Sequence, residues 1–161
     1  MTSAPRRRIL FLCTGNACRS QMAEAILRHV GGERFEALSA GSHPAGFIHL
    51  LAEVALGRMN VPLEGQSSKS WDEFVGTPID AVITLCDAAA SEPCPVFPGS
   101  PIRAHWSTPD PTQQPGTDEQ RTAFAMLIAN RLQTKIEALI ALDWNAPRDE
   151  LQKRLRFLGE I

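Results

Sequence analysis

"ILFLCTGNACRSQMAEAIL", residues 9–27, joins a short apolar run to a polar, glycine-bearing loop and then to a helical pattern. Ile9 to Leu12 has the continuous apolar character of a buried strand. A cysteine closing such a run is commonly just a small hydrophobe, but the residues after Cys13 point elsewhere. Five residues separate Cys13 from Arg19, Ser20 comes next, and Met22, Ala23, Ile26, Leu27 and Val30 then recur at helical spacing. A loop from strand to helix turns its backbone N–H groups inward and, with the helix N-terminus, makes an anion cradle. Gly15 is expected to take a conformation that a Cβ would forbid. Arg19 offers a planar, permanently charged fork that fits two oxygens of a tetrahedral anion. The same positive field is expected to depress the Cys13 pKa, with Ser20 donating a hydrogen bond to the thiolate. Cys18, at the helix start, reads as packing.

The wider chain sets bounds. Its 161 residues fit one domain, 1–161, with a full-sized core. Hydrophobic residues at 43% and charged residues at 21% are ordinary for a globular protein. A net charge of −2 gives no basic surplus, so nucleic acid is not an expected partner. Arg6, Arg7 and Arg8 precede too short an apolar run for a signal peptide, and read as a solvated entry to the first strand. No apolar stretch reaches the roughly 18 residues of a membrane span, so no membrane partner is expected. Four cysteines without an export signal point to a reducing cytoplasm, where catalytic or redox roles outweigh structural staples.

Strands are expected at 8–13, 35–39 and 80–86, and helices at 18–30, 48–59, 117–142 and 148–158. Gly31-Gly32 should stop the first helix, and Thr117 with Gln120 should open the long one as a capping box. Ser70 and Glu73 mark a short helix start, and residues 87–119, rich in Pro, Ser, Asp and Gly, read mostly as a long loop. Alternating strands and helices predict an α/β fold with a mostly parallel sheet, whose sites lie at the carboxyl ends of strands. Cys13 and Cys86 would then meet at one edge. Asp110, between Pro109 and Pro111, is either a general acid held over the cradle or an Asp in a turn.

"FLCTGNACRSQMAEA", "VITLC", "CPVFPG" and "HWSTPDP" together resemble the arsenate reductases built on the low molecular weight tyrosine phosphatase fold. The likeness runs from about residue 8 to residue 142, leaving 145–161 as a helical extension that either covers a sheet edge or forms a subunit contact. It implies a three-layer α/β architecture, with a mostly parallel four-stranded sheet and helices on both faces. It also implies that Cys13 is the nucleophile and Asp110 the acid, and that Thr14, Gly15, Asn16, Ala17, Cys18, Arg19 and Ser20 bind the oxyanion. Arsenate is the implied substrate, with phosphate or sulfate as mimics.

Cys86 and Cys94 bear on the reaction. A phosphatase needs one cysteine, whereas reducing arsenate to arsenite takes two electrons that thiols can supply. The implied relay has Cys86 attack the Cys13 adduct and Cys94 then attack Cys86, each a thiol–disulfide exchange. The alternatives for the later pair are a structural disulfide, which a cytoplasmic setting disfavours, and a metal site, whose short spacings are missing. Seven residues separate Cys86 from Cys94, one more than is usual in thioredoxin-coupled relatives, which leaves the external reductant open between thioredoxin, glutaredoxin with glutathione, and another small thiol. No bound cofactor is expected. Some relatives hold a potassium ion near the loop. Glu24, Asn16 and Ser39 stand in matching places, but Gln-Ser-Ser at 66–68 lacks the acidic partner, so no ion is expected.

His29 and His49 read as surface or packing residues, and His43 as either packing or part of the site mouth. His105 and Trp106 read as anchors of the acid loop, and Trp71 and Trp144 as packing. Two other functions compete with arsenate reduction: phosphatase action on phosphotyrosine or a small phosphoester, and a non-catalytic oxyanion or redox sensor.

Overall fold

The computed structural model describes residues 6–63, 65–91 and 95–161. Four strands, β1 (Arg7–Leu12), β2 (Phe35–Ala40), β3 (Ala81–Thr84) and β4 (Ile102–His105), form one parallel sheet in the order β2-β1-β3-β4. The helices are α1 (Arg19–Gly31), α2 (Leu50–Arg58), α3 (Asp87–Ser91), α4 (Asp118–Ile140) and α5 (Arg148–Leu158).

Alternation along the strands divides the core. Ile9 and Phe11 of β1 join Ala37, Ala81, Ile83, Ile102 and Ala104 on one face, beneath apolar side chains of α1, α2, α4 and α5. Leu10 and Leu12 join Ala40 and Val82 on the other, covered by Trp71 and Phe74 of a short 3₁₀ helix together with Ile79 and Phe97. Helical structure therefore covers both faces, in long helices on one and a single turn on the other. Burying side chains as large as Phe11 and Trp106 contributes about 1.5–3 kcal/mol each, and both are fully buried with ring centroids 6.2 Å apart.

Local chemistry sets the helix ends. Thr117 and Gln120 form the expected reciprocal capping box at the start of α4. Ser70 caps only the 3₁₀ turn, its Oγ accepting from Asp72 N. His49, read as surface or packing, caps α2 through Nδ1, which accepts from Leu51 N at 3.0 Å. Trp144 buries its ring edge-on to Phe35 and donates Nε1–H to Leu139 O.

The stretch 87–119 is not one long loop. It holds α3 and the edge strand β4, whose sequence Ile-Arg-Ala-His alternates apolar and polar residues. The final helix covers that edge. Leu151, Leu155 and Leu158 of α5 are buried, Gln152 Oε1 accepts from Arg103 N at 3.1 Å, and Arg156 Nε donates to Arg103 O at 3.2 Å. An edge strand's outward backbone groups are thus met by side chains rather than by another strand. Trp106, just beyond β4, donates Nε1–H to Leu155 O, which anchors the start of the acid loop as expected.

The strand order positions the site. The chain runs from β1 outward to β2, then crosses back over β1 to β3. This reversal opens a crevice at the carboxyl ends of β1 and β3. Cys13 follows the last residue of β1, and Cys86 lies two residues past β3.

Candidate active site

The loop after β1 owes its shape to where its carbonyl groups go. Thr14 O accepts from His43 N at 2.9 Å, Gly15 O from Ala45 N at 2.9 Å and Ala17 O from His49 N at 2.8 Å. Asn16 O accepts from Gln21 Nε2 at 2.9 Å. In a trans peptide the N–H of the next residue points opposite to the carbonyl. The amides of Gly15, Asn16, Ala17 and Cys18 therefore face away from those partners, toward a pocket of about 140 Å³ lined by Cys13, the loop, Arg19, Asp110 and Thr112. His43 serves the loop through its backbone.

One expectation about this loop changes. Gly15 has an ordinary φ and open space where a Cβ would stand, whereas Asn16 takes the left-handed conformation, at φ 47°. Asn tolerates that region when its side chain is held by hydrogen bonds, and here the holding is complete. Asn16 Nδ2 donates to Ser20 Oγ at 2.8 Å and Ser39 Oγ at 3.0 Å, while Oδ1 accepts from Gln21 Nε2 and Lys69 N, both at 3.0 Å. Ser20 Oγ accepts from Asn16, which leaves its own O–H for the Cys13 sulfur it is expected to serve. The glycine that close approach does require is Gly41. A Cβ there would lie 2.5 Å from Thr14 O and 2.7 Å from Cys13 O.

Ser39 Oγ donates onward to Glu24 Oε1 at 2.7 Å. That buried carboxylate already faces Arg28, which donates to Oε2, and Lys69 Nζ at 3.8 Å. The Glu24 carboxylate thus lies between two cations.

Arg19 and Asp110 close the pocket. Arg19 Nη1 donates to Thr108 O at 2.9 Å, and Nη2 lies 3.5 Å from Asp110 Oδ2. Asp110 occupies the turn that its sequence offered, at the edge of the pocket. Its Oδ1 accepts from Thr112 N and Thr112 Oγ1, as in a turn, and this leaves Oδ2 beside Arg19 at the pocket. Cys18 belongs to the main core cluster, and burial pushes its thiol up to about 12, so its side chain packs while its amide faces the pocket. A larger cleft of about 530 Å³ lies behind the acid loop, between Thr108 and Lys135, and does not reach Cys13.

The sulfurs of Cys13 and Cys86 are brought together with Ala89 in one small buried cluster. Cys94 lies outside the described residues. Cys86 Sγ accepts from Thr14 N at 3.3 Å and Ala89 N at 3.4 Å, with Thr14 Oγ1 at 3.4 Å. A hydrogen bond from Cys13 and these further donors pull the Cys86 pKa down to about 5. The Cys13 thiol moves the other way, raised first by its hydrogen bond to Cys86 and then by burial, with Arg19 opposing. The two sulfurs titrate as a coupled pair, with the donors from Thr14 and Ala89 favouring the thiolate on Cys86 and the Arg19 guanidinium favouring it on Cys13.

A family model, low molecular weight phosphotyrosine protein phosphatase, matches residues 8–152. The arsenate reductase of Bacillus subtilis (strain 168) is 34% identical over 129 residues, which cover 80% of this chain and 91% of that protein. Among solved structures, an arsenate reductase in its oxidized state matches with a TM-score of 0.70 at 24% identity, over 84% of this chain and 97% of the other. A thioredoxin-dependent arsenate reductase of Corynebacterium glutamicum matches with a TM-score of 0.57 at 28% identity, over 84% of this chain and 64% of the other.

Proposed function

The chain belongs to the low molecular weight phosphotyrosine protein phosphatase family, and we propose that it is an arsenate reductase whose two electrons come from its own buried thiols. The single observation that carries this reading is the contact between Cys13 and Cys86 at the floor of an anion pocket. Hydrolysis of a phosphoester has no use for a second sulfur against the nucleophile, whereas reduction by the chain's own thiols requires one. The relatives' names agree with it.

In this mechanism the inward amides of Gly15–Cys18 and the Arg19 guanidinium bind the arsenate oxygens. Cys13 Sγ bonds to arsenic as the As–OH bond opposite it breaks. Asp110 gives the proton that turns the departing hydroxide into water, and the proton that leaves Cys13 replaces it on Asp110, so water is the sole leaving group. Cys86 is already the thiolate. It attacks Cys13 Sγ, the S–S bond forms, and the electron pair of the As–S bond stays with arsenic, which leaves as arsenite. The two sulfurs are oxidised by two electrons and arsenic(V) becomes arsenic(III). Cys94 then attacks Cys86 and frees Cys13 as thiolate, and an external dithiol of the thioredoxin or glutaredoxin type reduces the Cys86–Cys94 bond. We place this chemistry in the reducing cytoplasm and in one domain, 1–161. Among the described residues no helix is long and apolar enough to cross a membrane.

Arsenite production coupled to thiol oxidation tests the reading. Cys13→Ser and Cys86→Ser should each abolish turnover, and Cys94→Ser should stop it after one cycle with a Cys13–Cys86 disulfide trapped. Arsenite formation that survives Cys86→Ser would mean that an outside thiol attacks the adduct directly. Hydrolysis of para-nitrophenyl phosphate with no arsenite formed would favour the phosphatase, for which the same pocket, Arg19 and Asp110 suffice.

A further inference from the structure

Next to the two sulfurs is a polar chain that takes no part in the proposed relay. Thr84 and His105 end β3 and β4 as register partners. Thr84 Oγ1 lies 2.7 Å from His105 Nδ1, and His105 Nε2 lies 2.8 Å from Asp87 Oδ1. Ser107 Oγ donates to the same Asp87 oxygen at 3.1 Å. Asp87 is the first residue of α3, immediately after Cys86. Its side chain is 84% exposed, yet His105 and then Ser107 hold its pKa below the usual carboxylate range.

The reason to single out this chain is how little else holds α3. Of its five residues only Ala89 is buried. A cleft of about 250 Å³ lined by Val82, Thr84, Ala89, Arg103, His105 and Arg156 opens beside it. A segment with one apolar anchor opens locally at low cost, and Cys86 opens with it. The rest of the carbonyl edge is different in kind, since the loop from Cys13 to Ser20 is tied down by buried bonds.

We propose that His105 and Asp87 form a latch that positions Cys86 against Cys13 until the first disulfide has formed, and whose release lets Cys86 travel to its next partner. His105 and Asp87 are positioning residues. Neither touches the oxyanion, and they act through the register of α3. A neutral His105 sustains the whole chain, with Nε2–H donating to Asp87 and Thr84 Oγ1–H donating to Nδ1, so the latch holds whichever way the ring is charged. Its bonds are exposed, which makes it easy to break, as a transient hold must be. The kinetic role rests on the reductase reading, whereas the structural role does not.

Two measurements separate them. The first is single-turnover formation of the Cys13–Cys86 disulfide after arsenate addition, in the Cys94→Ser background. Asp87→Ala and His105→Ala should each slow it by about three- to tenfold, the size of one or two partly exposed hydrogen bonds. Asp87→Asn still presents an oxygen to His105 and Ser107 and should recover most of the rate. The affinity of the pocket for inorganic phosphate should stay unchanged in all three. The second measurement needs no arsenate: amide exchange over residues 86–91 in the reduced protein should quicken in Asp87→Ala and His105→Ala and not in Asp87→Asn. Unchanged exchange, or loss of phosphate affinity in step with the disulfide rate, overturns the latch. If the parent protein forms no disulfide while exchange still responds, the reductase reading falls and the structural latch stands.

Discussion

Cys13 and Cys86 sit at the ends of adjacent strands, but the two segments that carry them are built to opposite specifications. The loop from Cys13 to Ser20 hangs largely on the buried hydrogen bonds of Asn16. Asn16 and Ser20 are fully buried, and Gly41 lets two loop carbonyls approach closer than any side chain allows. The segment after Cys86 is five helical residues with a single buried alanine and a polar tie to His105. In the proposed mechanism one segment presents four amides to an anion without rearranging, because preorganised donors are what make such a site effective. In the proposed relay the other delivers a sulfur and then leaves. On the proposed mechanism, rigidity and looseness at one sheet edge are the physical counterparts of a fixed nucleophile and a travelling one.

The comparison breaks most visibly at Asn16. Asn16→Ala removes four side-chain hydrogen bonds at a fully buried position and leaves an alanine at a positive φ. The expected cost is on the order of 3–5 kcal/mol, read as a drop in the denaturant midpoint together with loss of phosphate binding. Ser39→Ala is the milder form, depriving Asn16 and Glu24 of one partner each, at about 1–2 kcal/mol. A Ser39→Ala protein as stable as the parent would show that the loop is not held in the way its bonds indicate.

Gly41→Ala comes next. The new methyl meets backbone carbonyls rather than flexible side chains, so β2 and the loop must separate, at about 1–3 kcal/mol. The measurement is again the unfolding midpoint, with phosphate affinity falling in parallel because the displaced carbonyls belong to Cys13 and Thr14.

The legibility of these features in the sequence follows the same divide. The cradle is readable because its parts are contiguous: an apolar run, a cysteine, a short loop, an arginine and a helical period. The capping box of α4 is equally local. The strand β4 is obscured because Ile102–His105 is only four residues long and sits among prolines and glycines, although its alternation is present. Local reasoning puts the left-handed position at Gly15 because glycine permits it. What places it at Asn16 is a set of partners at Ser39, Gln21 and Lys69, which no local reading brings together. The acidic sulfur is missed for the same reason. Arg19 is near Cys13 in sequence, whereas the donors to Cys86 come from Thr14 on one element and Ala89 on another.

The titration of Cys86 sharpens the comparison from the loose side. Its folded pKa is about 5 against a reference of 9.0. Between those values the folded chain holds a thiolate where the unfolded chain holds a thiol, so the unfolded state binds more protons and stability rises with pH. The contribution is lost as pH falls through about 5. Cys13 acts oppositely only above 9.0, where the unfolded chain ionises and the folded one keeps its proton. Denaturant unfolding under reducing conditions should therefore show a rise between about pH 5 and 9 that Cys86→Ser lacks. Thr14→Val removes the hydroxyl donor but keeps the amide, and should move the ultraviolet thiolate titration upward while leaving it below the ordinary value.

The smallest effect is expected at the residue that local reasoning would rank first. A Cβ at Gly15 would have nothing within 4 Å, and the residue has no positive φ, so Gly15→Ala meets neither strain nor contact. Alanine also narrows the unfolded ensemble, and the net change in stability should lie within about 0.5 kcal/mol and toward stabilisation. The amide of residue 15 still faces the pocket, because its direction is set by the bond from His43 N to Thr14 O. Phosphate affinity should accordingly stay within about twofold of the parent, less than the loss of one neutral hydrogen bond. A Gly15→Ala protein that lost binding as Gly41→Ala does would mean that the loop must pass through a glycine-only conformation when the anion enters, and the cradle would then be no more rigid than the segment that carries Cys86.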